Sequence, residues 1–343
     1  MAMDPAFSSG PAFERLPSFS SAHDILAEEC GWQIGCSKFL QEGEMHNSQL
    51  IVTERGFLGK GAVGIVEEVQ VEGFEETFAR KRVMLSKGKQ AAIRDRMDVK
   101  SEIENLKSLD HYNIVKILGC YEEQWGRTPT ICVLMFPAGD ADLEHFLYEE
   151  CQPPVSVQHR HWIRFWIDAL ASALAYMHAE GIHHEDIKPT NIVHRGAQIL
   201  FTDFSSSRRL EAGQTTSTES SAKASRLFAA PEAMCEDGKV FRHGSKSDVF
   251  SLGLVYVEMF TVLVGKTVDE MRDFVFEGET QARRYCRATD RIFEFLGPRS
   301  CRNWEKSWES FIKEILHPKR RLRPSAEEIF YKLEDSGLWD VEL

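Results

Sequence analysis

The stretch HHEDIKPTNIV, His183 to Val193, brings an aspartate, a lysine and an asparagine close together at Asp186, Lys188 and Asn191. These groups suit phosphoryl transfer, which asks little covalent chemistry of a protein. A carboxylate can accept the proton of an acceptor hydroxyl, an ammonium can neutralise a phosphate, and an amide oxygen can ligate Mg²⁺. A polar surface turn is the plainer reading, but a turn does not call for this combination. A second carboxylate, Asp203 in ILFTDFSSSR, ends an apolar run shortly downstream. Mg²⁺ binds oxygen ligands, commonly one or two carboxylates together with phosphates, so Asn191 and Asp203 form a candidate metal pair.

Two further stretches could handle phosphates. In LGKGAVGIV, Gly59, Gly61 and Gly64 fit G-x-G-x-x-G, with Val66 beyond them. Glycines allow the backbone to approach a phosphate and present N–H groups to it. More strand follows here, not a helix, which argues against a dinucleotide-binding turn. In FARK, alternation along a strand puts Ala79 and Lys81 on one face. Lys81 gains meaning if an acid holds it, and Glu102 in the next helical segment is the candidate.

These groups need a scaffold that gathers them. QLIVTERGFLGKGAVGIVEEVQV and ETFARKRVML read as strands broken by glycine and charge. IRDRMDVKSEIENLKSLDH places Ile93, Met97, Ile103, Leu106 and Leu109 near a 3.6-residue period, which predicts a helix with these residues inward. NIVKILGCY and TICVLMF predict two more strands. After PAGDAD the character turns helical, through LEHFLYEE and HWIRFWIDALASALAYMHAEG, except around the two acidic motifs. VFSLGLVYVEMFTVLV, Val249 to Val264, is interrupted by Glu258 and falls short of the roughly 20 residues of a membrane span. Apolar on nearly every face, it predicts a helix at the centre of a large domain.

The expected division is a β-rich unit at 51–136 with one helix, a helical unit at 137–336 and a tail at 337–343, with a ligand cleft between the units. Residues 8–50 form an N-terminal extension. MAMDPAF, at 1–7, reads as a cloning remnant, without a signal-peptide pattern. With 43% hydrophobic and 27% charged residues in 343, the chain can build a sizeable core. A net charge of −12 argues against a general nucleic-acid binder, which is usually basic. The eight cysteines contain no C-x-x-C pair. They read as buried thiols of a reducing compartment, which sets an expectation of a cytoplasmic or nuclear location.

In chain order, the glycine loop, strand lysine, helix glutamate, H-x-D-x-K-x-x-N, D-F-x and Ala230-Pro231-Glu232 resemble the motif set of the eukaryotic protein kinase family, over roughly residues 51–335. The resemblance implies an α+β fold with a small β-rich N-lobe and a large helical C-lobe. It implies ATP and Mg²⁺ as cofactors, with Asp186, Lys188, Lys81 and Glu102 catalytic and with Asn191 and Asp203 as metal ligands. Gly59, Gly61 and Gly64 would cover the phosphates while Lys81 holds them. Val66, Ala79 and Val193 would sandwich adenine, Met135 would guard the back of its pocket, and the Phe136 carbonyl and Ala138 N–H would meet its edge. Glu232 would pair with Arg323, and Asp248 would cap the central helix and brace the catalytic loop. Leu106, Ile117, His184 and Phe204 would stack in a column between the lobes.

By the same resemblance, Lys188-Pro189 is the Ser/Thr-specific form, and Ser225 takes the place of a threonine that touches the catalytic aspartate. The Ala-Pro-Glu element after a long loop favours protein acceptors, and Thr190 stands where many basic-directed kinases carry glutamate. The implied function is a Ser/Thr protein kinase transferring the γ-phosphate of MgATP to a protein substrate, with neither nucleic acid nor a membrane span involved.

Two departures bear on this. Glu185 replaces the arginine of H-R-D, and an acid would repel a loop phosphate of about −1.5 to −2 charge. Phosphorylation at Thr215, Thr216, Ser217, Thr218, Ser220 or Ser221 is then not expected to act through Glu185; a solvent-facing side chain is the simpler reading of this residue. Ser205 replaces the glycine of D-F-G, at an expected cost in backbone freedom. Ala224 and Phe228 depart more mildly. These departures favour an alternative, a pseudokinase acting as a nucleotide-binding or scaffold module. Retention of Lys81, Glu102, Asp186, Asn191 and Asp203 favours the enzyme.

Overall fold

The computed structural model describes residues 52–60, 64–71, 74–209, 227–234, 244–279, 283–297 and 303–335. Gly61, the hydroxyl residues of the 215–221 loop, Ala224, Ser225 and the 8–50 extension lie outside the described residues.

Five antiparallel strands open the fold: β1 (Val52–Lys60), β2 (Gly64–Val71), β3 (Thr77–Met84), β4 (Lys116–Trp125) and β5 (Thr128–Phe136), in the order β1-β2-β3-β5-β4. Alternation along β3 sends Phe78 to a small core with Val69, Val71, Leu118, Leu134 and Phe136. It sends Ala79, Lys81 and Val83 to the opposite face, where Ala79 and Val83 join the main core. Register sets Val66 opposite Lys81 and Met135 opposite Ala79. Two apolar walls and one ammonium therefore share a patch. Gly64 is obligatory on packing grounds, since a Cβ there would lie 2.2 Å from the Arg82 carbonyl oxygen.

Helix α1 (Lys89–Lys107) turns Val99, Glu102, Ile103, Asn105 and Leu106 inward. Ile93 and Met97, expected on that face, are instead 40% and 64% exposed. The inward arc continues towards the N-terminus through Ala92, which packs on the core, and Arg96, which bonds Glu122 of β4. The helical period was legible, but its phase near the N-terminus was not. Leu109 is buried just beyond the helix end.

The rest is mainly helical. Helix α2 (Val157–Ala179) is N-capped by Ser156, whose side chain accepts from the His159 N–H. Helix α3 (Ser245–Leu263) is buried along almost its whole length, as an all-round apolar helix must be. Gly253 lets it approach the end of α6: a Cβ there would fall 2.4 Å from Ile315 Cγ2. Helices α4 (Val268–Val275), α5 (Thr289–Leu296), α6 (Asn303–Ile315) and α7 (Ala326–Asp335) follow. Arg323, with a wholly buried side chain, grips Glu232 bidentately at 2.6 and 2.7 Å, as expected.

Short strands carry the loops of interest. β6 (Ala141–Asp142), β8 (Ile192–Arg195) and β9 (Gln198–Phe201) form one sheet, while β7 (Ile182–His183) pairs with β10 (Arg208–Arg209). No helix among the described residues is long and apolar enough to cross a membrane. Cys120, Cys132 and Cys151 are buried free thiols, and Cys286 is half-buried.

Candidate active site

Lys81 is only 4% exposed, and an unpaired ammonium would be costly there. Its Nζ donates to Glu102 Oε1 and to Asp203 Oδ1, each at 2.7 Å. Burial opposes the charge, but the two carboxylates outweigh it and hold the ammonium well above its ordinary value. Burial likewise works against Asp203, yet Lys81, with the Ser205 hydroxyl, holds that carboxyl well below its usual range. Helix α1 is tied to the same region by Asn105, whose Nδ2 donates to the Ser207 carbonyl at 3.1 Å and to Ser207 Oγ at 3.0 Å.

The 183–193 stretch is a bent loop between β7 and β8. Lys188 Nζ donates to Asp186 Oδ2 at 2.7 Å, and Asn191 Nδ2 donates to the same oxygen at 3.0 Å and to the Asp186 carbonyl at 2.8 Å. These bonds fix the carboxylate's orientation. His184, fully buried, bonds the Thr202 carbonyl through Nε2 at 3.0 Å. A carbonyl only accepts, so Nε2 carries the proton, and Nδ1 is left to accept the Asp186 N–H at 3.4 Å. The His184 ring also meets Phe204, tilted at 48° with centroids 4.9 Å apart, and Leu106, Ile117 and Phe204 are buried in the main core, as the expected column requires.

Asp248 anchors this loop from α3. Its Oδ2 accepts from the His184 N–H at 2.9 Å and bonds His178 Nε2 at 3.0 Å, and its Oδ1 accepts from the Glu185 N–H at 2.9 Å. Burial would raise the carboxyl, but His178, with His183 and His184, holds it down at about 2. The brace is as expected; the cap is not. Gly244 holds the N-cap position of α3 without a side-chain bond, and Asp248 lies inside the first turn with its oxygens spent on the loop.

Glu185 does not face solvent. Its backbone is left-handed (φ 62°), and its side chain is 7% exposed, with Oε2 3.7 Å from Arg208 Nε on β10. The Asp248 bond and the left-handed turn direct it inward. Burial, and then the Asp248 charge, push its carboxyl up to about 8, with Arg208 opposing only in part. Ser205 sits in a short 3-10 turn and is not among the non-glycine residues of positive φ, which among the described residues are Glu185 and Asp203. The serine therefore meets no left-handed strain.

A cavity of about 320 Å³ gathers these groups. Its lining includes Gly59, Gly64, Val66, Ala79, Lys81, Met135, Asp186, Lys188, Asn191, Val193 and Asp203. Glu102 stands behind Lys81 instead of lining it. Phe136 and Ala138, expected at the adenine edge, are not among the lining residues. Phe136 belongs to the small core on the far face of the sheet, and Pro137 and Gly139 line the cavity at this place. Leu58, Val115 and Thr202, not named by the motifs, also line it. Strand alternation put Leu58 within reach, but nothing in the sequence marked Val115. A Cβ at Gly59 would meet nothing within 4 Å, so that glycine borders open space.

A two-oxygen cation site fits these residues. With Asn191 Nδ2 committed to Asp186, the amide oxygen is the atom left to ligate a hard cation, and the Asp203 carboxylate opens on the same cavity. No group of three or more His, Cys, Asp or Glu placed to hold a metal occurs among the described residues. Such a site needs phosphate oxygens to be complete, as Mg²⁺ sites commonly do.

A five-stranded sheet with one helix, set on a helical unit and enclosing a lysine shared by two acids, has the architecture of a phosphotransferase of the kinase type. The family model described as "Protein kinase domain" matches residues 52–332, and the chain belongs to that family. Its fold is the α+β, two-lobed one expected. The chain is 26% identical over 274 residues to human Mitogen-activated protein kinase kinase kinase 3, covering 79% of this chain. It is 25% identical over 259 residues to Mitogen-activated protein kinase p38b of Drosophila melanogaster, covering 73% of this chain and 64% of that one. It is 28% identical over 312 residues to Wall-associated receptor kinase-like 4 of Arabidopsis thaliana, covering 87% of this chain. The chain spans about 40% of the human relative's length and 38% of the Arabidopsis one's.

Proposed function

We propose that the chain is a Ser/Thr protein kinase, transferring the γ-phosphate of MgATP to serine or threonine hydroxyls of a protein substrate. The observation that carries this is the buried Lys81, held at 2.7 Å by both Glu102 and Asp203 on the wall of the cavity that also takes Asp186, Lys188 and Asn191. Glu185 and Ser205 leave all of these in place, and no observation favours a scaffold in place of an enzyme.

Each residue then has a task. Val66, Ala79, Val193 and Met135 would take the adenine, with backbone groups near Phe136 and Ala138 at its edge, and the glycine motif of Gly59, Gly61 and Gly64 would serve the phosphates. Lys81 binds the α- and β-phosphates, kept in place and charged by Glu102. Asn191 and Asp203 would hold Mg²⁺, which when bound neutralises phosphate charge. Asp186 orients the acceptor hydroxyl and takes its proton, while Lys188 spans the carboxylate and the incoming phosphate. Such catalysis is positioning and electrostatic stabilisation. A cytoplasmic or nuclear setting accords with the free buried thiols.

The test is phosphoamino-acid analysis after incubating the protein with radiolabelled MgATP and a mixed Ser, Thr and Tyr acceptor. Label in phosphoserine or phosphothreonine is expected. Label confined to phosphotyrosine, or no transfer by folded, nucleotide-binding protein, would overturn the proposal.

A further inference from the structure

The most buried acid of the apolar helix α3 has a partner that itself reaches the surface. Glu258 is 0% exposed, and its Oε1 accepts from Arg272 Nη2 at 2.7 Å, Arg272 Nε at 3.0 Å and the Tyr285 hydroxyl at 2.6 Å. Its Oε2 is buried with no partner. Arg272, on α4 and 17% exposed, also lies 3.6 Å from Glu144 and sits over the Tyr148 ring at 5.1 Å. Burial opposes the guanidinium's charge, but Glu258 and Tyr285 outweigh it.

These surroundings hold what a protein uses to recognise an arginine: two carboxylates, a phenolic oxygen and an aromatic face. They also lie beside the catalytic loop. The helix Leu143–His145 that carries Glu144 packs on the turn Pro189–Asn191. Tyr285 is tied by its N–H to the Leu227 carbonyl at 3.2 Å, in the segment leading to Ala230-Pro231-Glu232. A peptide presenting a hydroxyl to Asp186 would pass close to both of these elements.

We propose that Arg272 determines substrate specificity, by filling from within the chain an acidic pocket that would otherwise bind a basic side chain of the protein substrate. This rests on the kinase reading above. The chain's own guanidinium occupies Glu258 and Glu144, so the enzyme gains nothing from an arginine near the acceptor residue. Removing Arg272 frees both carboxylates, and the unpartnered Glu258 Oε2 gives them spare accepting capacity.

The experiment compares wild type, Arg272→Met and Arg272→Met/Glu258→Gln on a set of serine peptides with arginine or alanine at each position within five residues of the acceptor. Peptide binding is followed by fluorescence anisotropy beside kcat and KM. Arg272→Met is expected to gain about tenfold or more for arginine at one position, through KM and binding, as a charged hydrogen-bonded contact is worth. The double variant is expected to lose that gain. Arg272→Gln, which can still donate to Glu258, serves if the methionine variant fails to fold, with the same gain in weaker form. Identical profiles for wild type and the single variants overturn the proposal, as does a wild-type arginine preference that Glu258→Gln abolishes. Binding is read without turnover, so absence of phosphate transfer from every variant counts against the kinase reading and leaves this one to the anisotropy.

Discussion

Replacing Glu185 by glutamine should stabilise the protein, and by an amount that grows with pH. In the unfolded chain this carboxyl ionises near 4.5, and in the fold burial and the Asp248 charge move it to about 8. Below 4.5 both states hold the proton and Glu185 contributes nothing. Between the two values the folded chain keeps a proton that the unfolded chain has lost, so stability falls as pH rises, and it levels off above 8. At about 1.4 kcal/mol per pH unit, the loss is about 1 kcal/mol at pH 5 and about 4 kcal/mol at pH 7.5. Glutamine has nearly the same shape and does not titrate. All other ionisable groups are shared, so they cancel in the difference between the two proteins. Glu185→Gln should therefore gain about 3 kcal/mol on wild type between pH 5 and pH 7.5. Thermal unfolding of both proteins across that range should show the gap in Tm opening by about 4–5 °C, given an unfolding entropy of about 0.6–0.7 kcal/mol per kelvin for a domain of this length. A gap that stays constant with pH would refute the reasoning and place Glu185 in an environment that leaves it ionised.

Other sites give further expectations. Arg323→Met leaves the Glu232 carboxylate without its counter-charge, with only the Ser247 hydroxyl still donating to it, and should cost about 3 kcal/mol, read as a lower midpoint in urea. Gly253→Ala drives a methyl against Ile315 and Leu316, at 2.4 and 2.9 Å, and should cost about 1–3 kcal/mol in the same assay. Lys81→Met should lower kcat by about a hundredfold or more while the protein stays folded, checked by steady-state kinetics and circular dichroism.

Much of the site was legible because its groups are bound to local sequence pattern. Asp186, Lys188 and Asn191 lie in one loop, and alternation alone puts Ala79 and Lys81 on a common face. Glu102 could be named because a helix follows the lysine strand, and the 2.7 Å contact agrees. What was not legible depends on how elements meet. Near its N-terminus α1 turns Ala92 and Arg96 towards the sheet, which the apolar period does not reveal, and so Ile93 and Met97 lie outward. Glu185 looked like a surface residue because glutamate usually is one, yet Asp248, distant in sequence, ties its backbone and turns it inward. The same holds for Asp248 itself: the resemblance made it a cap just before the apolar run, but the helix begins at Ser245 and the loop engages both of its oxygens. Glu258 was visible as an interruption of an apolar run, but nothing in the local sequence ties it to Arg272 and Tyr285, which come from other elements.

The most direct test of the central claim compares wild type with Asp186→Asn in transfer of γ-phosphate from MgATP to a protein acceptor, with ATP binding to each followed by titration. Transfer to serine or threonine by wild type, its loss in the variant and unchanged nucleotide binding are expected. Equal transfer by both proteins would contradict the claim, because the proton-accepting carboxylate would then lie elsewhere.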